Sequence, residues 1–231
     1  MFKKASKENM KRFLITLTNP KSPFAEQYRT VRTNIQFSAI DTTLKTLLVT
    51  SSEPSEGKTT TIANLAVTYA QQGKKVLLVD ADLRKPQIHV VFKLENFKGL
   101  SSVIVQGKSL SDVTQSSKVD NLSILTSGPI PPNPSELLSS VKMKNLVAQM
   151  TEEYDVVLFD APPVLAVTDA QIVSQICDGT ILVVRSGYTA KEKVKKSKEL
   201  LTLVNAKILG TILNRAEQNK DNYYYYYGNE E

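Results

Sequence analysis

Leu47-Leu48-Val49-Thr50-Ser51-Ser52-Glu53-Pro54-Ser55-Glu56-Gly57-Lys58-Thr59-Thr60 reads as a buried strand, a small polar loop, Gly-Lys-Thr and the start of a helix. That order aims backbone N–H groups and a helix N-terminus at phosphate oxygens. Lys58 is expected to reach the β and γ phosphates of a nucleotide and the Thr59 hydroxyl to meet a Mg²⁺ ion, with Glu56 and Thr60 completing the cradle. Gly57 lets the backbone approach the phosphates closely. The strict consensus has Gly where Ser52 stands, and Gly-Lys-Thr alone occurs by chance. Its position between an apolar run and a helical stretch is what gives it weight.

The same alternation continues along the chain. Thr46 to Thr50, Lys75 to Val79, Leu122 to Leu125, Val156 to Phe159, Thr180 to Val184 and Ile208 to Leu213 are short Val/Ile/Leu-rich runs, as strands covered on both faces require. Helix-compatible stretches lie between them at Thr60 to Gln72, Glu136 to Thr151 and Ala190 to Val204, with Gly73 as a C-terminal stop. Asn133-Pro134-Ser135-Glu136 predicts a helix start, with Asn133 as cap, Pro134 in the first helical position and Glu136 closing a capping box. The pattern implies an α/β fold, a mostly parallel sheet with helices on both faces.

Two apolar runs end in aspartate, Val76-Leu77-Leu78-Val79-Asp80-Ala81-Asp82-Leu83-Arg84 and Val156-Val157-Leu158-Phe159-Asp160. Ligands of open parallel sheets collect beyond the carboxyl ends of the strands, so Asp80, Asp82 and Asp160 are candidates to converge on the phosphate loop. A lone strand-ending aspartate is commonly a helix cap. Three beside a phosphate loop suit a Mg·ATP site, which uses one or two carboxylates and retained waters.

Composition narrows the classes. The 231 residues are 41% hydrophobic and 23% charged, enough for one large soluble domain. Cys177 and His89 are the only cysteine and histidine, so neither an intrachain disulfide nor a His/Cys zinc site is expected. No apolar run approaches the ~20 residues of a membrane span, and Met1 to Phe13 is basic without the apolar core of a secretory signal. The expectation is a cytoplasmic protein. Its net charge of +6 is dispersed except at the N-terminus and in Lys191 to Lys198, which reads as a solvated helix face. No nucleic-acid motif accompanies it.

These motifs together resemble the cytoplasmic kinase component of the bacterial tyrosine kinases encoded with capsule and exopolysaccharide synthesis. The resemblance runs from about Pro20 to the C-terminus. It is carried by the Walker A segment at Gly57-Lys58-Thr59, a Walker A′ segment at Leu77 to Arg84, Walker B at Val156 to Asp160, Ser127-Gly128-Pro129-Ile130-Pro131-Pro132-Asn133-Pro134-Ser135-Glu136-Leu137-Leu138, and the terminal tyrosines. It implies a P-loop NTPase-type domain at 20–217 between a basic N-terminal segment at 1–19 and a mobile tail at 218–231. It also implies ATP and Mg²⁺ as cofactors. Lys58 would polarise the phosphates, Thr59, Asp82 and Asp160 would organise the metal, and Asp80 would be base or orienter for the attacking tyrosine. Asn214 stands where members contact adenine; its plainer reading is a turn residue. Many members have Gly where this chain has Ser55, which a serine replaces only if its φ is tolerable.

Glu26-Gln27-Tyr28-Arg29-Thr30-Val31-Arg32 is similar to the family's oligomerisation signature, placing Glu26, Arg29 and Arg32 in a ring interface. On that predicted helix Phe24, Tyr28, Val31 and Ile35 have core-facing spacing. Five consecutive tyrosines, Tyr223, Tyr224, Tyr225, Tyr226 and Tyr227, have no apolar partner pattern and suit exposed phosphoacceptors. The resemblance further implies a separate transmembrane activator (a polysaccharide co-polymerase) that recruits the kinase to the inner face of the plasma membrane. A homo-oligomeric ring, a cognate tyrosine phosphatase and protein tyrosine substrates belong to the same expectation. A partitioning ATPase of the same branch would carry a lysine where Glu53 stands. A non-catalytic ATP-dependent scaffold would keep the same binding residues.

Overall fold

A computed structural model describes residues 14–38 and 44–217. The basic residues up to Phe13 and the tail from Gln218, with all five tyrosines, lie outside the described residues. In chain order the elements are α1 (Ile15–Thr18), α2 (Pro23–Phe37), β1 (Thr46–Ser51), α3 (Lys58–Gln71), β2 (Val76–Asp80), α4 (Ile88–Phe92), α5 (Leu100–Gln106) and α6 (Leu110–Val113). Then follow β3 (Gln115–Ser116), β4 (Leu122–Leu125), α7 (Pro134–Ser139), α8 (Val141–Glu153), β5 (Val156–Asp160), α9 (Asp169–Ser174), β6 (Gly179–Arg185), α10 (Lys191–Leu203) and β7 (Ile208–Asn214).

The strands form one sheet in the order β3-β4-β2-β5-β1-β6-β7. Every pairing is parallel except the short β3 against β4. β1, β2 and β5 are buried at every residue, which is why they read as unbroken apolar runs. One apolar layer, with Phe159, Leu77, Leu48, Leu100 and Met143, lies on one face of the sheet. The other packs α1 to α4 against the opposite face through Ile62, Leu65, Val49 and Leu78. The predicted α/β architecture holds.

Three local expectations change. The stretch from Glu136 to Thr151 is two helices, because Ser140 is extended (φ −67°, ψ 154°) and its hydroxyl accepts from the Met143 N–H at 3.2 Å, capping α8. Asn133 does occupy the cap position of α7 with Pro134 first, but its side chain donates to Glu136 Oε2 at 3.2 Å and caps no backbone N–H. β7 is an edge strand with Gly210, Thr211 and Leu213 exposed, so it is not covered on both faces. Gly73, at φ +83°, follows α3 as expected.

On α2, Ile35 is buried and Tyr28 and Val31 are partly so, but Phe24 is 57% exposed and Ala25 takes the inward place. Packing also reaches back before Pro20. Leu14 is buried, and Thr16 donates through its N–H and Oγ1 to Asn64 Oδ1 at 3.0 and 2.8 Å. The residues from Leu14 to Asn19, grouped by sequence with the basic segment, are therefore tied to α3.

Candidate active site

Strand order places the site. β2, β5 and β1 are consecutive, and their registers set Asp80 beside Asp160 and Asp160 beside Val49. The phosphate loop leaving β1 and the two acidic strand ends therefore emerge at one edge.

The loop is held from within. Glu56 is fully buried; its Oε2 accepts from the Ser52 N–H at 2.8 Å, and the Thr189 hydroxyl donates to its Oε1. The Glu56 carbonyl accepts from Asn214 Nδ2 at 2.9 Å, so the ends of β1 and β7 meet at the loop. Gly57 sits at φ +97°, and a Cβ there would fall 2.1 Å from Asn214 Nδ2. Ser55 adopts φ +66°, a left-handed conformation that serine can hold at modest cost. Thr60 lies in the first turn of α3, its carbonyl accepting from Asn64 Nδ2 at 2.8 Å. The Ser52 hydroxyl is buried without a protein partner.

Beyond the loop the predicted acids and the lysine come together. Lys58 Nζ lies 3.1 Å from Asp82 Oδ2, 3.3 Å from Asp160 Oδ1 and 3.4 Å from Thr59 Oγ1. Thr59 Oγ1 donates to Asp160 Oδ2 at 2.7 Å. Burial opposes the charge on Lys58, but Asp160 and Asp82 outweigh it and hold the ammonium's pKa above its ordinary value. Burial raises the Asp160 carboxyl against the pull of Lys58 and Thr59. Asp80 is pushed up to about 8, first by burial and then by the charge of Asp160.

Asp80 differs from Asp82 in its contacts. Its Oδ2 accepts from the Gln87 and Ile88 N–H groups at 3.0 and 2.9 Å, and its Oδ1 from the Asp82 N–H at 3.3 Å. It organises the turn that presents Asp82, whose Oδ1 in turn accepts from the Lys85 N–H at 3.0 Å.

The donor set fits Mg·ATP. Thr59, Asp82 and Asp160 offer hard oxygens, and the first N–H groups of α3 face the loop. Among the described residues no group of three or more His, Cys, Asp or Glu forms a closed metal cage. A Mg²⁺ ion that keeps waters and nucleotide oxygens needs none. An open groove of about 820 Å³ between α2 and β7 has Tyr28, Val31, Thr211 and Asn214 on its walls and begins beside the loop.

The Glu26-Arg29-Arg32 row makes most of its hydrogen bonds within the chain. Arg29 pairs with Glu26 at 2.6 Å and donates to the Pro20 carbonyl at 2.6 Å, while Arg32 Nη1 donates to the Thr68 carbonyl at 2.8 Å. Arg32 Nε is buried without a protein partner. Glu53 is held by Lys193 at 2.5 Å. Thr189 had no sequence signal; it reaches Glu56 only through the fold.

Fold and site together define a P-loop nucleotide-binding domain, and the AAA domain family matches residues 44–212. The chain is 53% identical to the tyrosine-protein kinase YwqD of Bacillus subtilis over 219 residues, 95% of this chain and 92% of that one. It is 44% identical to the putative tyrosine-protein kinase CapB of Staphylococcus aureus, over 90% and 92% of the two chains. The crystal structure of the chimerical protein CapA2B2 superposes with a TM-score of 0.86 at 45% identity, covering 90% of this chain and 91% of that one. This chain belongs to the bacterial tyrosine-protein kinase family.

Proposed function

We propose that the chain transfers the γ-phosphoryl group of Mg·ATP to protein tyrosines and that Tyr223 to Tyr227 of a neighbouring copy are principal acceptors. The observation that carries this reading is the meeting of Lys58, Thr59, Asp82 and Asp160 at the ends of three adjacent strands. Bound Mg·ATP supplies the transferable phosphoryl group. Lys58, now held by two carboxylates, would turn to phosphate oxygens, and Thr59, Asp82 and Asp160 would hold the cation. Asp80 was expected as base or orienter for the attacking tyrosine; its three backbone hydrogen bonds support a different role, holding the turn that presents Asp82. Catalysis is then mainly positioning and charge stabilisation.

The roughly nine residues from Asn214 to Tyr223 span at most about 30 Å, enough for a tail to enter an adjacent site. Five phosphotyrosines would add roughly −8 to −10 charges. They would convert the net +6 to net negative and loosen a ring held by docked tails. The Glu26, Arg29 and Arg32 row would contribute to that ring. A separate transmembrane activator would recruit the kinase to the inner membrane face and complete its site, within capsular or extracellular polysaccharide synthesis, with a cognate phosphatase reversing the modification. Among the described residues no helix is long and apolar enough to cross a membrane.

The test is phosphotyrosine mapping after incubation with Mg·ATP and the matched activator tail, with Lys58→Met as control. Phosphate on Tyr223 to Tyr227, absent from the control, is the expected result. ATP consumption without tyrosine phosphate would overturn it in favour of an assembly ATPase.

A further inference from the structure

Outside the nucleotide site, Arg84, Asp169 and Ser135 form a closed hydrogen-bonded triangle. Asp169, at the start of α9, is fully buried. Its Oδ2 accepts from Arg84 Nε at 2.8 Å, and its Oδ1 from Arg84 Nη2 at 3.0 Å and from the Ser135 hydroxyl at 2.8 Å. Arg84 Nη2 also donates to Ser135 Oγ at 2.9 Å. The proton count closes: the hydroxyl donates once and accepts once, and the two Nη2 hydrogens have separate acceptors. The guanidinium fork meets the carboxylate in the bidentate geometry that lysine cannot reproduce.

The three residues come from three different connections at the active edge of the sheet, one in a loop and two in the first turns of helices. Arg84 lies just beyond Asp82 on the loop leaving β2. Asp169 ends the segment that leaves β5 at Asp160, and Ser135 opens α7 after β4. The β5 segment is also fastened to the phosphate loop, since the Val164 N–H donates to the Ser51 carbonyl at 2.8 Å and the Thr50 hydroxyl to the Pro162 carbonyl at 2.7 Å. The loop that carries Asp82 and the segment that follows Asp160 are thus joined at Arg84–Asp169.

We infer that this triangle is a positioning clamp that sets the separation of Asp82 and Asp160, and thereby the cation and acceptor geometry for phosphoryl transfer. Arg84 and Asp169 act through the two acids and touch no reacting atom. The inference rests on the proposed kinase reading for its rate effect, and it has a second consequence that does not. If the clamp spaces two metal-holding carboxylates, its loss weakens the help Mg²⁺ gives to nucleotide binding. Misplacement of a reacting group by about 1 Å can lower a rate by about a hundredfold.

The experiment compares Arg84→Lys, Ser135→Ala and Asp169→Asn with wild type in the full chain. It measures ADP affinity with and without Mg²⁺, kcat and both KM values with the activator tail, and melting temperature. For Arg84→Lys the expected result is metal-free ADP affinity within about twofold, a Mg²⁺-dependent gain reduced at least about fivefold, and kcat reduced about 10- to 100-fold. ATP KM should move far less than kcat. Ser135→Ala, the mildest change, should show the same pattern at about threefold while melting with wild type. Should Asp169→Asn fail to fold, the other two variants decide. An unchanged Mg²⁺-dependent gain in Arg84→Lys and Ser135→Ala overturns the clamp, as does loss of metal-free ADP affinity in step with kcat. If wild type transfers no phosphate, the kinase reading fails, and the Mg²⁺-dependent gain alone still decides the clamp.

Discussion

Gly57 and Ser55 hold left-handed positions in the phosphate loop, at φ +97° and +66°, and they should answer substitution differently. At Gly57 the obstacle is contact as well as conformation, since a Cβ would meet Asn214 Nδ2 at 2.1 Å. Gly57→Ala should push Asn214 off the Glu56 carbonyl and lower ADP affinity at least about tenfold, worth about 1.4 kcal/mol, as measured by titration calorimetry. At Ser55 two effects oppose each other, with the balance slightly in favour of glycine. A left-handed L-residue costs about 1–2 kcal/mol, whereas glycine costs about 0.5–1 kcal/mol in chain entropy. Ser55→Gly should therefore raise the melting temperature, by about 2 °C. The β-branched Ser55→Val should lose about 1–2 kcal/mol in denaturant unfolding. Equal stability of the valine and glycine variants would contradict the strain argument. The placement of Gly57, Lys58 and Thr59 between β1 and the first turn of α3 was legible because this motif needs them in fixed order. The burial of Glu56 under Thr189 was not, because a Glu beside Ser and Gly reads as solvated until the fold brings the loop between β6 and α10 across it.

Elements were read well where one period dominated and poorly where a single polar residue changed the backbone. The stretch from Glu136 to Thr151 keeps helix-compatible residues throughout, so nothing in its apolar spacing marks the break at Ser140. The break is made by a side chain that competes with the helix for its own backbone. Ser140→Ala should remove the 3.2 Å bond to the Met143 N–H and cost about 1 kcal/mol in urea unfolding. A neutral result would mean that burial of Leu138 and Met143 on either side fixes the turn unaided. On α2 the expected stripe failed only at Phe24. A residue in the first turn, next to Ser22 and Pro23, can point past the end of its packing partner while Ala25 is buried. β7 looked like its buried neighbours because apolar content alone does not distinguish a covered strand from an edge strand. Gly210 and Thr211 were the available warning.

At the scale of the molecule, strand–helix alternation disclosed the class of fold. The convergence of Asp80 and Asp160 required the order β2-β5-β1, which no local pattern encodes. That convergence has a consequence for stability. Burial, with the charge of Asp160, raises Asp80 to about 8, and burial also raises Asp160. Between an unfolded value near ~4 and the folded value, the native state holds protons that the unfolded chain has lost, so these carboxyls make stability fall as pH rises. The free protein should therefore melt at a lower temperature at pH 8.5 than at pH 5.5, and Asp80→Asn should flatten that slope. A cation held by Asp82 and Asp160 favours ionised carboxylates, so bound Mg·ADP should act in the opposite sense. Its melting-temperature gain, at concentrations giving equal saturation, should be larger at pH 8.5 than at pH 5.5. If instead the gain is the same at both values, or the free protein is more stable in alkali, the buried acids enter the fold already ionised. Lys58 would then be holding Asp160 as a carboxylate before nucleotide arrives.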